Sequence, residues 1–531
     1  MRDRFKCWFI CLVCLAAGNA GIASGQALHL GNPGEPQTLD PHRYNLRLEE
    51  TILGDLFVGL TTFNARGEIV PGAALSWSTS EDGLLWTFQL RDGLKWSDGQ
   101  PLTAADFVYS FRRLLEPATA ASLAYFLYPI RNAEAVNAGR LPPEQLGVRA
   151  RGPTTLLLEL ESPYPHLAER LLYPTGYPVP GHVIAAVGDD WVKPEHWVSN
   201  GAYVLADWRP QAHVELVANP HFFTPPLIKQ VFHHPLANDQ NAYNRYRNGE
   251  MHAISTFPAG ELESVKEHMA PHLRLSPLLS IVYLVFNTSQ PPFDDASTRE
   301  ALALAVDVEI LTDKVQRAGN YASLSFVPAL VANYDSPPMP HYAVNNVVKN
   351  AAMRSSEREQ QARALLAAAG YDADNPLRLT LRYVSGAGAK RSNLAIAAFW
   401  KRIGVETQLH HSELKVHFSD LRQGDFQVAQ AGWFGENNAE HYLGLLVSDT
   451  GGVNYGRYRN DEFDELMARA RTHGDVVQRN RVLRQAEILA MATYPVVPLY
   501  SVGIRRLVSP TIGGWFENAR DAHPARFLSW Q

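Results

Sequence analysis

Cysteine is nearly missing from this chain. Its 531 residues hold three, Cys7, Cys11 and Cys14, all at the extreme N-terminus. Beyond them no disulfide framework, thiolate metal site or cysteine nucleophile can form. Long apolar runs are missing too: after Ala17 no uninterrupted stretch reaches the roughly 20 residues that cross a bilayer. Neither sign of charge dominates, with 48 Lys+Arg against 54 Asp+Glu and a net charge of −6. That balance gives no global attraction to nucleic acid or anionic lipid. No Walker A loop, GxGxxG fingerprint, GxSxG elbow or HExxH helix occurs, so phosphate, nicotinamide, serine-hydrolase and zincin chemistry lack support. What is abundant is core material: 46% of residues are hydrophobic and 10% aromatic, enough for several domain-equivalents.

The first 25 residues read as an export signal rather than as fold. Arg2, Arg4 and Lys6 precede the apolar run Trp8–Ala17, and Ala23-Ser24-Gly25 supplies a small-residue cleavage site. Val13 stands before Cys14 where lipidation needs a small residue, so a cleaved, unlipidated signal is expected. The mature protein is then exported and stabilised by its core alone.

Strand-like and helix-like segments alternate irregularly, which predicts a mixed α/β fold with more than one sheet. Leu85 to Leu90 reads as a strand closed by the turn Arg91-Asp92-Gly93. Thr103-Ala104-Ala105-Asp106 is a capping box opening a helix, with Phe107, Phe111 and Leu114 at helical spacing. Asp294 or Asp295 caps a helix running to Val306, and a second capping box at Ser356–Glu359 opens one that stops at Gly370. The order strand (Leu377–Tyr383), helix (Leu394–Ile403), strand (Val405–Leu409), strand (Phe426–Trp433) fits a crossover unit.

Adjacent histidines, His233-His234 and His410-His411, point to opposite faces of a strand and make poor paired ligands. They and His417 are expected on surfaces or loops. Paired carboxylates such as Asp189-Asp190 and Asp294-Asp295 read as caps and turns. Trp433 closes a strand-like run and is followed by Phe434-Gly435-Glu436-Asn437-Asn438. An aromatic and glycine leading into an acidic-amide turn is a favourable place for ligand contacts.

The chain resembles the periplasmic oligopeptide-binding proteins, the solute receptors of ABC-type peptide importers. The resemblance runs through ordered blocks: GNPGEPQTLDPHR (Gly31 to Arg43), WTFQLRDGLKWSDGQPLTAADFVYSFRR (Trp86 to Arg113), SNGAYVLADW (Ser199 to Trp208), NRYRNGE (Asn244 to Glu250), FNTSQPPFDDASTREAL (Phe286 to Leu302), AAFWKRIGVETQL (Ala397 to Leu409) and AGWFGENNAEHYL (Ala431 to Leu443). It implies an α/β, two-lobed periplasmic-binding-protein fold with a hinge cleft and an extra third domain. The implied division is a signal peptide (1–25), lobe I (26–58, 183–283 and 501–531), an extra domain (59–182) and lobe III (284–500). It implies capture of a peptide or peptide-like ligand by strand-like main-chain bonds, delivery to a membrane permease, a monomeric state, and no catalytic residue, metal or cofactor.

Carried over residue by residue, the resemblance places Glu436 where an aspartate usually meets the ligand's α-ammonium, in a wall formed with Gly432, Trp433 and Asn437. The groups that usually meet the ligand's carboxylate are changed: Ala389 stands for a histidine and Gln430 for an arginine, while Leu414 stands for a tryptophan. Asn45 and Arg47 replace an acidic and an apolar residue in an early cleft loop. Arg47 is therefore the first candidate to read a carboxylate, ahead of Arg422, Lys390 and Arg391. Within the receptor class, a murein-derived, opine-like or carbohydrate ligand competes with an ordinary peptide. An exported hydrolase is the alternative from another class.

Overall fold

The computed structural model describes residues 26–531 apart from 345–346, 349–354, 449 and 451. The expected signal peptide and its three cysteines lie outside the described residues. Two large sheets and one smaller sheet organise the chain. The first has seven strands in the order Leu273–Pro277, Gly503–Val508, Ala253–Ile254, Leu28–Asn32, Gln230–Pro235, His213–Ala218, Tyr203–Arg209. The second has six: Tyr321–Ala322, Val496–Ser501, Ser280–Phe286, Val428–Phe434, Arg378–Val384, Glu406–Ser412. A four-stranded antiparallel sheet (Ala74–Thr79, Leu85–Leu90, Thr155–Glu159, Val148–Arg151) packs against helix Ala104–Leu115. Among the described residues, no helix is long and apolar enough to cross a membrane.

The chain passes between the large sheets twice, at one place. Strand Leu273–Pro277 of the first sheet continues through Leu278 and Leu279 into Ser280–Phe286 of the second. Strand Val496–Ser501 returns through Val502 into Gly503–Val508. The crossings are bonded to each other, Leu278 N–H to Val502 O at 2.9 Å and Val502 N–H to Ser280 Oγ at 2.9 Å. Two short strand-to-strand crossings side by side let two lobes rotate with little loss of hydrogen bonding.

Local sequence accounts for most elements. The Thr103 capping box is formed, with Thr103 N–H donating to Asp106 Oδ2 at 2.7 Å. Asp295 caps helix Ala296–Ala305 by accepting from Ser297 and Thr298 N–H. Strands Arg378–Val384 and Glu406–Ser412 run parallel, joined by helix Ala387–Arg402, so the crossover unit is present. That helix begins seven residues before the apolar periodicity at Leu394. A helix Leu414–Gln423, absent from the sequence reading, fills the gap before Val428–Phe434. The surface reading of the histidines fails at two positions: His233 and His417 are buried. His233 faces inward while its neighbour His234 faces the other side of the sheet. His417 Nε2 bonds to Gln430 O at 2.9 Å.

Several residues of the sequence blocks join elements. Asp40 receives two bonds from Arg113 (3.2 and 2.7 Å), which also meets His42 Nδ1 at 2.9 Å; all three are buried. Asn200 exchanges two bonds with the Val58 backbone, and a Cβ on the adjacent Gly201 would lie 2.3 Å from Leu56 C, so only glycine permits that approach. Arg299 is buried and spends its guanidinium on the carbonyls of Phe293, Asp294, Thr493 and Tyr494.

Glu487 is a fully buried acid in the core behind the second sheet. It accepts from Phe326 N–H (3.1 Å), Val327 N–H (2.9 Å) and the Tyr334 hydroxyl (2.6 Å). Burial outweighs these bonds and pushes its carboxyl up from 4.5 to about 7. The folded state therefore holds a proton that the unfolded chain releases near 4.5, and stability falls as pH rises from there to about 7. The loss is expected to total roughly 3 kcal/mol. Denaturant unfolding of Glu487→Gln between pH 4.5 and 8 is expected to lose most of that slope.

Candidate functional site

A cavity of about 540 Å³ lies where the two large sheets face each other beside the crossings. Leu30, Leu48, Ile254, Leu278 and Ile504 give it apolar walls, and Phe434 enters from the second sheet. Arg47, Arg506, Asp521 and His523 form its polar side.

Glu49 sets that side. Its carboxylate gathers the N–H groups of Gln37, Thr38, Asn45 and Leu46 at 2.8–3.2 Å, which folds the early loop and starts helix Arg47–Leu56. Arg47 is thus the first helical residue and faces the cavity, half exposed. Its Nη2 donates to Arg520 O and lies 3.4 Å from Asp521 Oδ2. Asp521 is buried and also receives Arg506 through Nε (2.8 Å) and Nη2. Burial works against its charge, but Arg506, the His523 hydrogen bond and Arg47 outweigh it and hold the carboxyl below the usual carboxylate range. His523 stacks on Trp515 at 4.1 Å, and burial pulls its imidazole down, toward neutral.

A second polar group lies where the four-stranded-sheet unit meets the second lobe. Helix Leu167–Arg170 presents Glu169 and Arg170. Arg170 Nη2 is 3.2 Å from Glu436 Oε2, and Glu169 pairs with Arg520. Burial raises Glu169 to about 6 even with Arg520 beside it. Arg170 is held above its ordinary value: burial opposes its charge, but Tyr164 and Glu436 more than compensate.

Of the residues singled out in sequence, Gly432 and Trp433 lie on the last strand of the second sheet's centre, paired with Val282 and Ile281. Trp433 stands edge-on to His441 at 5.5 Å. Glu436 follows in the turn and is only 4% exposed. Asn437 is committed within its own surroundings, its Oδ1 accepting from Ala332 N–H at 2.7 Å. Of these candidates only Arg47 lines the cavity; Gly432, Trp433, Glu436 and Asn437 do not, and two others point elsewhere altogether. Asn45 is exposed and bonds Arg43 O and the Ser122 hydroxyl, bridging to the four-stranded-sheet unit instead. Arg422 is exposed on helix Leu414–Gln423, whose rotation turns it outward. Gln430 is buried, its Oε1 accepting from Asn393 Nδ2 at 3.1 Å. Sequence reasoning missed Arg170, Phe434, Arg506 and the Arg520–Asp521 pair. Only Phe434 sat beside a marked motif. Among the described residues one group of possible metal ligands exists, Asp207, His213 and Glu215, far along the first sheet. Arg209 pairs with Asp207 and Gln230 bonds Glu215 there.

The family model for bacterial extracellular solute-binding proteins, family 5 (middle region), matches residues 68–454. The chain belongs to that family. Its members are substrate-binding proteins of transport systems, and the two-lobed α/β architecture is theirs. The probable deoxycholate-binding periplasmic protein YgiS of Escherichia coli is 34% identical over 97% of this chain and 96% of its own. The periplasmic murein tripeptide-binding protein MppA, solved in an unliganded open form, is 33% identical, with a TM-score of 0.86 over 95% of this chain and 97% of its own. Haemophilus influenzae OppA in complex with the peptide RPPGFSPFR is 30% identical, with a TM-score of 0.72 over 95% and 99%. The described arrangement of lobes thus resembles an open family member more than a peptide-filled one.

Proposed function

We propose that the protein is a periplasmic receptor that captures a peptide or peptide-like solute between its lobes and hands it, unaltered, to an ABC import permease. It works as a monomer after removal of residues 1–25. Lobe I (26–58, 183–283, 501–531) and lobe III (284–500) form the jaws, and the extra domain (59–182) packs beside them. The carrying observation is the cavity at the paired crossings: the first lobe supplies nearly all of its lining, Leu278 of a crossing and Phe434 of the second sheet complete it, and rotation about Leu278–Leu279 and Val502 moves Phe434 against the rest. Phe434, next to Trp433, is the second lobe's share of the cavity and Arg47 part of the first lobe's, while Gly432, Trp433, Glu436 and Asn437 shape the turn behind Phe434.

A non-peptide amphiphile is the second reading. The apolar walls favour it, as does similarity to a relative named for deoxycholate binding. In either case Arg47 is the cation that meets a ligand carboxylate: it shares Asp521 with Arg506 through Nη2 alone and is half exposed at the cavity, while Gln430 and Ala389 carry no charge. Arg47→Gln is expected to weaken an acidic ligand by about 30-fold or more, on the scale of losing one side of a desolvated charge pair. Its C-terminal amide should lose far less in the same titration. Equal losses would remove Arg47 from the role. Mass spectrometry of small molecules released from protein purified out of its native periplasm tests the function itself.

A further inference from the structure

Glu436, the acid that the family resemblance sets opposite a ligand ammonium, already holds a cation belonging to the chain. Arg170 meets it at 3.2 Å with side chains only 12% and 5% exposed. The guanidinium is not free to swing. Its carbon sits 4.8 Å over the Phe126 ring and 5.6 Å from the Tyr164 ring, and Nη2 donates to the Tyr164 hydroxyl at 2.8 Å. Glu436 is fixed as well. Its N–H donates to His441 Nδ1 at 2.9 Å, and a Cβ on the preceding Gly435 would fall 2.3 Å from the Tyr442 ring, so the turn lies flat against it. Glu436 Oε1 is buried and has no hydrogen-bond partner among the described residues. A ligand ammonium arriving here meets a carboxylate already paired through Oε2 and an Oε1 that solvent does not reach. Taking Glu436 for itself would strand a buried guanidinium, which is costly. The neighbouring Glu169–Arg520 pair is balanced too and offers no spare acid. The cavity at the crossings, which neither Glu436 nor Arg170 lines, is walled by Leu30, Leu48, Ile254, Leu278, Phe434 and Ile504, with Arg47 at its polar side.

We propose that Arg170 is the resident cation of the Glu436 site, and that the receptor therefore takes an amphiphilic carboxylate without a free ammonium. The proposal rests on the receptor reading and narrows its ligand. Two sources share that chemistry: an N-blocked peptide, and a non-peptide acid with an apolar body. The apolar walls take the body, Arg47 faces the carboxylate, and nothing at Glu436 rewards an amine. Arg170 sets specificity here by excluding a second cation.

Competition titrations of the mature protein test this. The probes are a synthetic library of apolar tripeptides with free amino termini, the same library N-acetylated, and dodecanoate. Wild type is expected to bind the acetylated library or dodecanoate at least as tightly as the free-amine library, and the tighter of the two identifies the source. Arg170→Met, which removes the charge and keeps bulk, is expected to shift preference toward the free amine by tenfold or more. Arg170→Lys keeps a cation and is expected to retain the wild-type ratio, so it serves if Arg170→Met fails to fold. A wild-type preference of tenfold or more for the free amine overturns the Arg170 assignment and leaves the receptor reading standing. So does an Arg170→Met ratio equal to wild type, or an Arg170→Lys ratio shifted toward the amine. Binding of no probe by any of the three proteins overturns the receptor reading and the proposal with it.

Discussion

Asp521→Asn is expected to cost the folded protein about 3–5 kcal/mol, because one buried carboxylate serves as counter-ion to both Arg506 and Arg47. The amide keeps the shape of the turn but leaves Arg506 buried without its charge partner. The same residue sets an acid limit. Its folded carboxyl titrates below the ordinary 3.8, so the stability it supplies is complete above that value and is lost as pH falls through the folded one. Denaturant unfolding of wild type and variant at pH 7 and pH 3 checks both statements. The gap is expected to be wide at pH 7 and narrower at pH 3, where the unfolded wild-type chain already takes up the proton that the folded carboxyl still excludes. A gap that stays constant with pH would mean that packing, not charge, is what Asp521 contributes.

Glu436→Gln is expected to destabilise the contact between the four-stranded-sheet unit and the second lobe by about 2–5 kcal/mol, since Arg170 is then left as an unpaired buried cation between Phe126 and Tyr164. Arg170→Met alone should cost a similar amount, by stranding the acid. The double variant should cost clearly less than the sum, because the second change removes the charge that the first left exposed to low dielectric. Thermal and denaturant unfolding of the four proteins gives the coupling. Additive losses would show that the two groups sit near each other without depending on each other.

These two clusters differ in how visible they were beforehand. Glu436 was legible: it ends a strand-like run after Trp433, in a turn whose residue types suit a site. Its partner was not, because Arg170 comes from a four-residue helix with no periodicity and no motif, some 266 positions earlier in the chain. Asp521 lies in a loop near the C-terminus that carries no pattern at all, and only the tertiary approach of Arg506 and Arg47 gives it meaning. The elements themselves were easier. Asp295 caps its helix because a short polar side chain reaches orphan N–H groups two or three residues on, and Asp106 reaches back to the Thr103 N–H, both relations local in sequence. Helix Leu414–Gln423 escaped notice because its buried residues are few, His417 and Leu421, and one of them is a histidine. Without that helix Arg422 read as lying on the approach to the Trp433 strand, whereas it faces outward. Asn45 failed for a related reason: its loop folds around the Glu49 carboxylate, which turns the amide toward Ser122 rather than into the cleft.

Some residues of the blocks that carried the family resemblance are structural. Asp40 with Arg113 ties helix Ala104–Leu115 to the early loop, while Asn200 with Val58 and Arg299 with the Thr493–Tyr494 backbone brace neighbouring elements. Others in the same blocks, Asn32, Pro33 and Phe434, line the cavity.

The central claim is that two lobes close on a solute that leaves unchanged. The most direct measurement combines small-angle scattering with mass spectrometry on protein purified from its native periplasm. Denaturation is expected to release a stoichiometric small molecule, and returning that molecule to the emptied protein should reduce the radius of gyration without altering the molecule's mass. Tight rebinding with no change in radius, or recovery of a chemically altered molecule, would contradict the account.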